Sequence, residues 1–251
     1  MIVIENLWKI YDGKPALKGI TTRIEPGHVT VLLGPNGSGK TTLLKLILGL
    51  IKPDKGIIRV YGMDPYEKPL DVKRIIGFVP EEDLLYRSLR VIEYLYFVGK
   101  AYDLPKDELE KSVERVIKAF MLDGKRDELI GALSHGLKRR VLLAAAFIHR
   151  PKILLLDEPF MGLDPIIVKA LKTFLYEEAR SGKIVVVTTH VLEIAEAIAD
   201  KVILLFKGEI VIEGSVEYVL RKSRSRGFED AILRLLRADV EVLELVKALR
   251  M

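Results

Sequence analysis

The stretch "GPNGSGKTT", Gly34–Thr42, decides the fold of this chain. It matches the pattern G-x-x-x-x-G-K-[ST] at every fixed position, and it lies between an apolar run, "VTVLL", and a helical run, "TTLLKLILGLI". Glycines let such a loop fold around phosphate oxygens, with main-chain N–H groups pointing inward and the dipole of the following helix adding positive potential. The stretch therefore predicts a nucleoside triphosphate site.

Within this loop, two side chains have roles of their own. Lys40 is expected to reach the β- and γ-phosphates, and the Thr41 hydroxyl is expected to bind Mg²⁺. The remaining contacts to the nucleotide come from the loop as a whole. The predicted ATP-binding residues are Gly34, Pro35, Asn36, Gly37, Ser38, Gly39, Lys40, Thr41 and Thr42.

Short apolar runs predict an α/β fold with a mainly parallel sheet. "KILLLD", "KIVVVTT" and "KVILLF" are continuous and rich in branched side chains, as in strands covered on both faces. The last run continues into a hairpin that turns at Lys207–Gly208. At the start of the chain, "MIVIENLWKIY" and "ALKGITTRI" predict two short strands joined by the turn "DGKP".

Two further regions are predicted to be helical. Between about residues 82 and 150, apolar residues recur at three- and four-residue spacing, which predicts a helical insertion in the α/β core. After residue 216, "FEDAILRLLR" and "VEVLELVKALRM" each present an apolar helical face. We therefore predict a nucleotide-binding domain over residues 1–215 that contains the insertion, and a C-terminal helical tail over residues 216–251.

The composition narrows the class of protein. Of 251 residues, 49% are hydrophobic and 30% are charged, and the net charge of +5 is too dispersed to indicate nucleic-acid binding. The lack of cysteine excludes disulfides and thiolate metal sites. No apolar run reaches the roughly 18 residues needed to cross a bilayer, and no signal-peptide pattern opens the chain. We expect a soluble, intracellular protein, and the lack of glutamine suits a thermophile.

Three polar residues end the buried apolar runs. In "ILLLDEP", Asp157 is expected to hold Mg²⁺ through water, and Glu158 beside it could polarise the attacking water. His190 ends "VVVTTH" and would face the γ-phosphate, because open α/β sheets bind ligands at the carboxyl ends of their strands. A structural or exposed histidine is the alternative for His190.

Four motifs, "GPNGSGKTT", "LSHGLKRR", "ILLLDEPFMGLDP" and "VVVTTH", occur in that order, and the set resembles the ATP-binding cassette ATPase of an ABC transporter over about residues 1–215. The resemblance implies a P-loop NTPase (RecA-like) core, an N-terminal antiparallel β-subdomain and an inserted α-helical subdomain. It implies ATP and Mg²⁺ as ligands. It also implies that two subunits pair head to tail, each ATP lying between the phosphate loop of one and the signature motif of the other.

The same resemblance assigns further residues. Tyr11 sits where an aromatic ring stacks on adenine. Ser134 and Gly136, with His135 between them, match the signature positions that touch the partner's γ-phosphate. Three residues match the loop that crosses the dimer interface, namely Gly162, Leu163 and Asp164.

The sequence departs from the family pattern at three positions. Glu81 in "FVPEED" replaces a glutamine that faces Mg²⁺ and water, and Leu137 replaces the signature glutamine. A carboxylate is a good ligand for Mg²⁺, so Glu81 is a predicted metal ligand. His135 stands where the family has glycine: its side chain either points away from the site or adds a donor near the partner's γ-phosphate, which would make dimerisation pH-sensitive.

These features predict the nucleotide-binding subunit of a transporter. Its partners would be a second ATPase subunit, most simply an identical copy, and a separate transmembrane permease that docks a short helix against residues 81–87. This places the chain in the cytoplasm, peripherally on the cytoplasmic face of the membrane. "FVPEED" and the tail resemble the drug- and ion-export branch and favour export. The alternative is a soluble ABC ATPase of an assembly machine; a nucleic-acid role is not expected, and no N-K-x-D motif indicates a GTPase.

Overall fold

Two β-sheets form the framework of the protein, and the computed structural model describes it over residues 1–236. The predicted helix "VEVLELVKALRM" lies outside the described residues. The strands are β1 (Ile2–Tyr11), β2 (Lys14–Ile24), β3 (Val29–Leu33), β4 (Lys55–Val60), β5 (Ile76–Val79), β6 (Ile153–Asp157), β7 (Ile184–Thr189), β8 (Lys201–Phe206) and β9 (Glu209–Gly214).

Nine α-helices cover these sheets within residues 1–236. None of these described helices is long and apolar enough to span a membrane. The helices are α1 (Lys40–Ile47), α2 (Pro69–Arg74), α3 (Val91–Ala101), α4 (Lys106–Ala119), α5 (His135–Phe147), α6 (Pro165–Arg180), α7 (Leu192–Ile198), α8 (Val216–Ser223) and α9 (Phe228–Leu236).

The larger sheet has the strand order β5-β6-β7-β3-β8-β9. All neighbours in it are parallel except the β8–β9 hairpin, so the predicted mainly parallel sheet is confirmed. Every residue of β3, β6 and β7 is buried, as their continuous apolar runs predict. The carboxyl ends of these strands therefore meet at one edge of the sheet, where ligands bind in open α/β folds.

The smaller sheet is antiparallel, with the order β2-β1-β4. The predicted pair β1 and β2 is present and turns at Asp12 and Gly13, whose φ angles of 48° and 77° are those of a tight hairpin turn. β4 was not predicted, because its partner β1 is about fifty residues away and its own pattern is interrupted by Gly56. Gly56 lies so close to β1 that a Cβ atom there would be 2.2 Å from the carbonyl oxygen of Asn6.

The helical insertion is present as α3, α4 and α5. The predicted helix after the phosphate loop was too long at its end, because α1 stops at Ile47 and the chain turns at Gly49. Gly49 has a φ of 63°, and a Cβ atom there would lie 1.9 Å from the carbonyl oxygen of Pro65. The helix therefore cannot continue through this position without displacing the neighbouring loop.

Two hydrophobic clusters cover opposite faces of the larger sheet. Successive residues of β3 alternate between them: Val31 and Leu33 belong to the cluster under the helical insertion, and Leu32 to the cluster under α1 and the smaller sheet. Both faces of the strands are thus fixed by packing. This double burial holds the strand ends that carry the polar residues in a defined position.

Candidate active site

The phosphate loop connects β3 to α1 at the carboxyl edge of the larger sheet. Two of its glycines are required by close contacts. A Cβ atom on Gly34 would lie 2.2 Å from the carbonyl oxygen of Leu205, and one on Gly39, which has a φ of 109°, would lie 2.6 Å from Leu17 Cδ2. No larger residue fits either position without displacing its neighbours, so this loop conformation needs glycine there.

Lys40 is buried inside the loop. Its ammonium donates to the carbonyl oxygens of Gly34 (2.7 Å) and Pro35 (3.1 Å). Burial lowers the pKa of Lys40, while the nearby carboxylates of Glu158, Asp157 and Glu81 oppose that shift. The ammonium is therefore held by backbone oxygens, with carboxylates close by. Its positive charge is what would attract an anionic ligand to the loop.

Asp157 lies at the end of β6, and two hydroxyl groups fix its carboxylate. Thr41 Oγ1 donates to Oδ2 at 2.9 Å, and Thr188 Oγ1 donates to Oδ1. Asp157 is 1% exposed, so its two oxygens are oriented by these partners and not by water. Thr188 was not among the sequence-predicted residues.

Oxygen donors of the kind that Mg²⁺ prefers are gathered here. The Thr41 hydroxyl and the Asp157 carboxylate are in direct contact, and Glu81 lines the same cavity. Within residues 1–236, no three acidic or histidine side chains form a metal cage by themselves. This donor set suits an ion that keeps several waters and takes further oxygens from a bound phosphate.

Glu158 and His190 form a pair at the same edge. His190 Nδ1 lies 2.7 Å from Glu158 Oε1. The Glu158 side chain is nearly buried, whereas that of His190 is 43% exposed. The imidazole thus holds one carboxylate oxygen and leaves the other available to a ligand. His190 reaches the site through Glu158 and is not among the residues that line the cavity, so its contact with the γ-phosphate stays a prediction.

An open cavity of about 330 Å³ is lined by ten of the twenty sequence-predicted site residues. Tyr11 lies at its rim with 42% of its surface exposed, as a ring that stacks on a base requires. The cavity is lined by Tyr11, Ala16, Asn36, Gly37, Gly39, Lys40, Thr41, Thr42, Glu81, Asp157 and Glu158.

The residues 134–136 and 162–164 lie together, apart from this cavity lining. Ser134 caps α5, with its hydroxyl accepting from the Leu137 N–H at 3.4 Å. A Cβ atom on Gly136 would lie only 2.6 Å from the carbonyl oxygen of Gly162, and Arg140 forms an ion pair with Asp164. The two predicted motifs therefore form one continuous surface at the start of α5.

His135 belongs to the same surface and pairs within its own chain. Its Nδ1 lies 2.8 Å from Asp83 Oδ2, and the ring packs against Gly162. Its side chain remains 62% exposed. This contact links the start of α5 to the loop that carries Glu81, across 52 positions of sequence, and residue types alone did not indicate it.

Arg139 was not among the sequence-predicted site residues either. It is 1% exposed and is the largest fully buried side chain within residues 1–236. Helical spacing could have identified it, because Arg139 lies three and four positions before the buried Leu142 and Leu143.

Comparison with known proteins agrees with this geometry. Residues 17–161 match the family model described as ABC transporter. The chain is 31% identical to the ABC-type transporter ATP-binding protein EcsA of Bacillus subtilis, over 95% of this chain and 98% of EcsA. It is 34% identical, over 95% of its length, to ABC transporter G family member 20 of Dictyostelium discoideum, but spans only 32% of that protein.

Solved structures give the same result. A structure described as the ATP-binding subunit of an ABC transporter matches with a TM-score of 0.88 at 28% identity, over 94% of this chain and 99% of that one. A bacterial ABC transporter cassette solved as a dimer matches with a TM-score of 0.76 at 30% identity, over 86% of this chain and 98% of that one. The same cassette has also been solved in a post-hydrolysis state bound to ADP and Pi.

Proposed function

This chain belongs to the ABC transporter family of ATP-binding proteins, and we propose that it hydrolyses ATP as the nucleotide-binding subunit of a transporter. One observation carries the proposal. Lys40, Thr41, Asp157 and Glu158 converge on one cavity at the carboxyl edge of the sheet, and His190 holds the Glu158 carboxylate at 2.7 Å. This arrangement supplies a phosphate cradle, a cation site and a base for water in a single place.

ATP would enter the cavity with its triphosphate in the phosphate loop. Lys40 would exchange the carbonyl oxygens of Gly34 and Pro35 for phosphate oxygens, and the Tyr11 ring would stack on adenine. The Thr41 hydroxyl and the Asp157 and Glu81 carboxylates would hold Mg²⁺, which when bound neutralises phosphate charge.

Glu158 would orient the water that attacks. Its carboxylate would accept a hydrogen bond from that water and direct the water oxygen at the γ-phosphorus. The new bond joins this oxygen to the γ-phosphorus, the bond from the γ-phosphorus to the bridging oxygen breaks, and the proton passes to the Glu158 carboxylate. His190 would keep the carboxylate in place through the contact at Oε1.

A second copy would complete the site. The surface formed by residues 134–136 and 162–164 presents the N-terminus of α5, where the first N–H groups have no acceptor within the helix, but it lines no part of the cavity in its own chain. An anion held in the partner's phosphate loop would be stabilised at that helix N-terminus. A similar cassette has been solved as a dimer, which supports the pairing of two copies.

A membrane subunit would dock beside Glu81. Exposed apolar side chains surround this loop, among them Leu84 (66% exposed), Tyr86 (59%) and Phe97 (48%). The Tyr86 and Phe97 rings contact edge to face, with centroids 5.4 Å apart, so they form one continuous apolar patch. This patch suits a short amphipathic helix of a permease and would keep the chain on the cytoplasmic face of the membrane.

Export remains our proposal for the direction of transport, on the basis of Glu81 and the sequence "GFEDAILRLL". We also propose the division into a domain over residues 1–215 and a tail over residues 216–251. In the described part of that tail, Phe228 and Ile232 of α9 are buried in the same core as the larger sheet. The tail would therefore support the ATPase domain directly.

ATP hydrolysis by the purified chain tests the proposed activity. We expect Lys40→Ala and Glu158→Gln each to lower the rate at least about a hundredfold, because the first removes a phosphate contact and the second removes the base for water. Lys45→Ala is the matched control, since Lys45 is an exposed lysine on the same helix. Hydrolysis that persists unchanged in Glu158→Gln would refute the assigned role of Glu158.

Co-purification tests the partner. A tagged chain extracted with membranes should retain a multi-spanning protein, and charged substitutions at Tyr86 and Phe97 should release it while leaving ATP binding intact. Retention that does not depend on these two residues would place the docking surface elsewhere.

A further inference from the structure

Arg139 on α5 is a buried cation that the mechanism above does not use. Removing a charged group from water is costly unless polar partners replace the water. At 1% exposure, the guanidinium has lost essentially all its water. Its partners must therefore be built into the fold, and they identify what the side chain does.

All five guanidinium N–H groups have a backbone carbonyl partner. Nη1 donates to the oxygens of Pro80 and Glu81, Nη2 to those of Asp157 and Glu158, and Nε to that of Pro159. The first pair follows β5, and the other three residues are the last residue of β6 and the two that follow it; β5 and β6 are neighbouring parallel strands. One side chain thus joins the carboxyl ends of the two strands that deliver Glu81 and Glu158 to the site.

The backbone at Glu158 needs such support. Glu158 has a φ of 46°, in the left-handed region that side-chain-bearing residues rarely adopt, so its backbone is strained. Arg139 Nη2 binds the carbonyl oxygens on both sides of this residue, at Asp157 and at Glu158 (2.7 Å). The N–H of Glu158 donates to Thr188 Oγ1 at 3.0 Å. Both peptide groups that flank the Glu158 Cα are therefore anchored.

The charge on Arg139 is compatible with this position. Burial lowers the pKa of the guanidinium, but the carboxylates of Asp83, Asp157, Glu158 and Glu81 oppose that shift. The fork of five donors cannot be reproduced by lysine, whose ammonium has three. The site therefore calls for arginine by geometry as well as by charge.

We propose that Arg139 is the positioning residue of the hydrolytic site: it holds Glu158 in its left-handed conformation and fixes the Glu81 loop relative to it. Arg139 does not line the cavity and acts through the two backbone segments. The proposal rests on the proposed function, because it assigns Glu158 to the attacking water. Its structural part, the support of the Glu158 backbone, does not depend on that assignment.

Two measurements on Arg139→Met, which keeps a side chain of similar reach without its N–H groups, test the proposal. In the nucleotide-free protein, we expect amide hydrogen exchange in residues 155–161 to rise about tenfold or more. In ATP hydrolysis, we expect kcat to fall roughly 10- to 100-fold while KM for ATP changes little, because Glu158 is displaced but the phosphate loop is not.

Arg115→Met is the matched control. Arg115 also donates to carbonyl oxygens of α5, those of Phe147 (3.0 Å) and Ile148 (3.3 Å), but at the far end of the helix and away from the cavity. We expect this variant to retain wild-type kcat and wild-type exchange in residues 155–161. A general loss of stability through α5 would lower both variants alike.

Wild-type exchange in Arg139→Met, or a rise in KM with unchanged kcat, would overturn the proposal. If Arg139→Met does not fold, Arg139→Lys tests the proposal instead. We expect its hydrogen exchange in residues 155–161 to be faster than in the wild type and its kcat to be lower. Wild-type values of both would overturn the proposal. If the wild-type chain does not hydrolyse ATP, the proposed function fails, while the exchange comparison still decides whether Arg139 supports Glu158.

Discussion

The buried imidazole of His149 makes the stability of this protein depend on pH. The imidazole stacks on Tyr102 with ring centroids 3.6 Å apart, and its Nε2 lies 3.2 Å from the carbonyl oxygen of Ile76. Nδ1 is buried without a partner. Burial lowers the pKa of His149 to about 4, and the cation of Lys183 acts in the same direction.

The folded protein therefore holds His149 neutral, whereas the unfolded chain protonates it below its ordinary pKa of about 6.5. Because the folded pKa is the lower one, stability is fully present above pH 6.5 and is lost as the pH falls towards 4. Between pH 7 and pH 5 this one group should remove about 2 kcal/mol from the free energy of unfolding.

His149→Phe removes the titrating group and keeps a ring to stack on Tyr102. The Ile76 carbonyl keeps a donor, because the Tyr102 hydroxyl lies 3.3 Å from it. Guanidinium unfolding at several pH values, followed by the single tryptophan Trp8, gives the free energies. We expect the difference between wild type and variant to shift by about 2 kcal/mol from pH 7 to pH 5 in favour of the variant.

His28→Asn is the control for this experiment, because His28 is exposed. This variant should keep the wild-type dependence on pH. The aspartates whose pKa values are lowered, Asp54, Asp64 and Asp164, titrate below this window and are common to all three proteins. If the free energies of unfolding of wild type and His149→Phe change in parallel between pH 7 and pH 5, protonation of His149 does not destabilise the fold.

Three further predictions concern the site and its supports. Glu81→Gln should keep most of the ATPase rate, with Glu82→Gln as control; a loss as deep as that of Glu158→Gln would make Glu81 an essential metal ligand. His135→Gly should remove the contact to Asp83, and its ATPase–pH profile should differ from that of the wild type; superimposable profiles would show that the imidazole has no part in the reaction. Gly49→Ala should lower the free energy of unfolding by about 1–3 kcal/mol, measured by denaturant unfolding, because the new methyl group meets the Pro65 carbonyl. An unchanged free energy of unfolding would show that the loop at Pro65 can move away.

The parallel strands could be predicted from the sequence because their residues are buried on both faces and carry an unambiguous pattern. Once the strands are parallel, the residues that follow them must meet at one edge. The sequence alone therefore predicts that Lys40, Asp157, Glu158 and His190 lie together. What is local in sequence, such as the Ser134 cap of α5, was predictable in the same way.

The rest could not be predicted, because it depends on contacts between distant backbone groups. Arg139 binds carbonyl oxygens of Pro80 and Glu81, 59 and 58 positions away, and any residue type presents a carbonyl. The sequence therefore contains no mark of that partnership. His135 and Asp83 could have been matched by charge, but many other acidic residues offered the same pairing.

The central claim is that two copies of this chain enclose ATP between the phosphate loop of one and Ser134 of the other. Light scattering of Glu158→Gln with and without MgATP tests it most directly. We expect the Glu158→Gln protein to have a mass of 28.3 kDa without nucleotide and twice that mass with MgATP. In the same background, Ser134→Asn should still dimerise and Ser134→Asp should not, because both cap α5 but only aspartate repels the partner's phosphate. A mass that does not change when MgATP is added, or equal dimerisation of the two Ser134 variants, would show that ATP is not enclosed between the phosphate loop and Ser134 of a second copy.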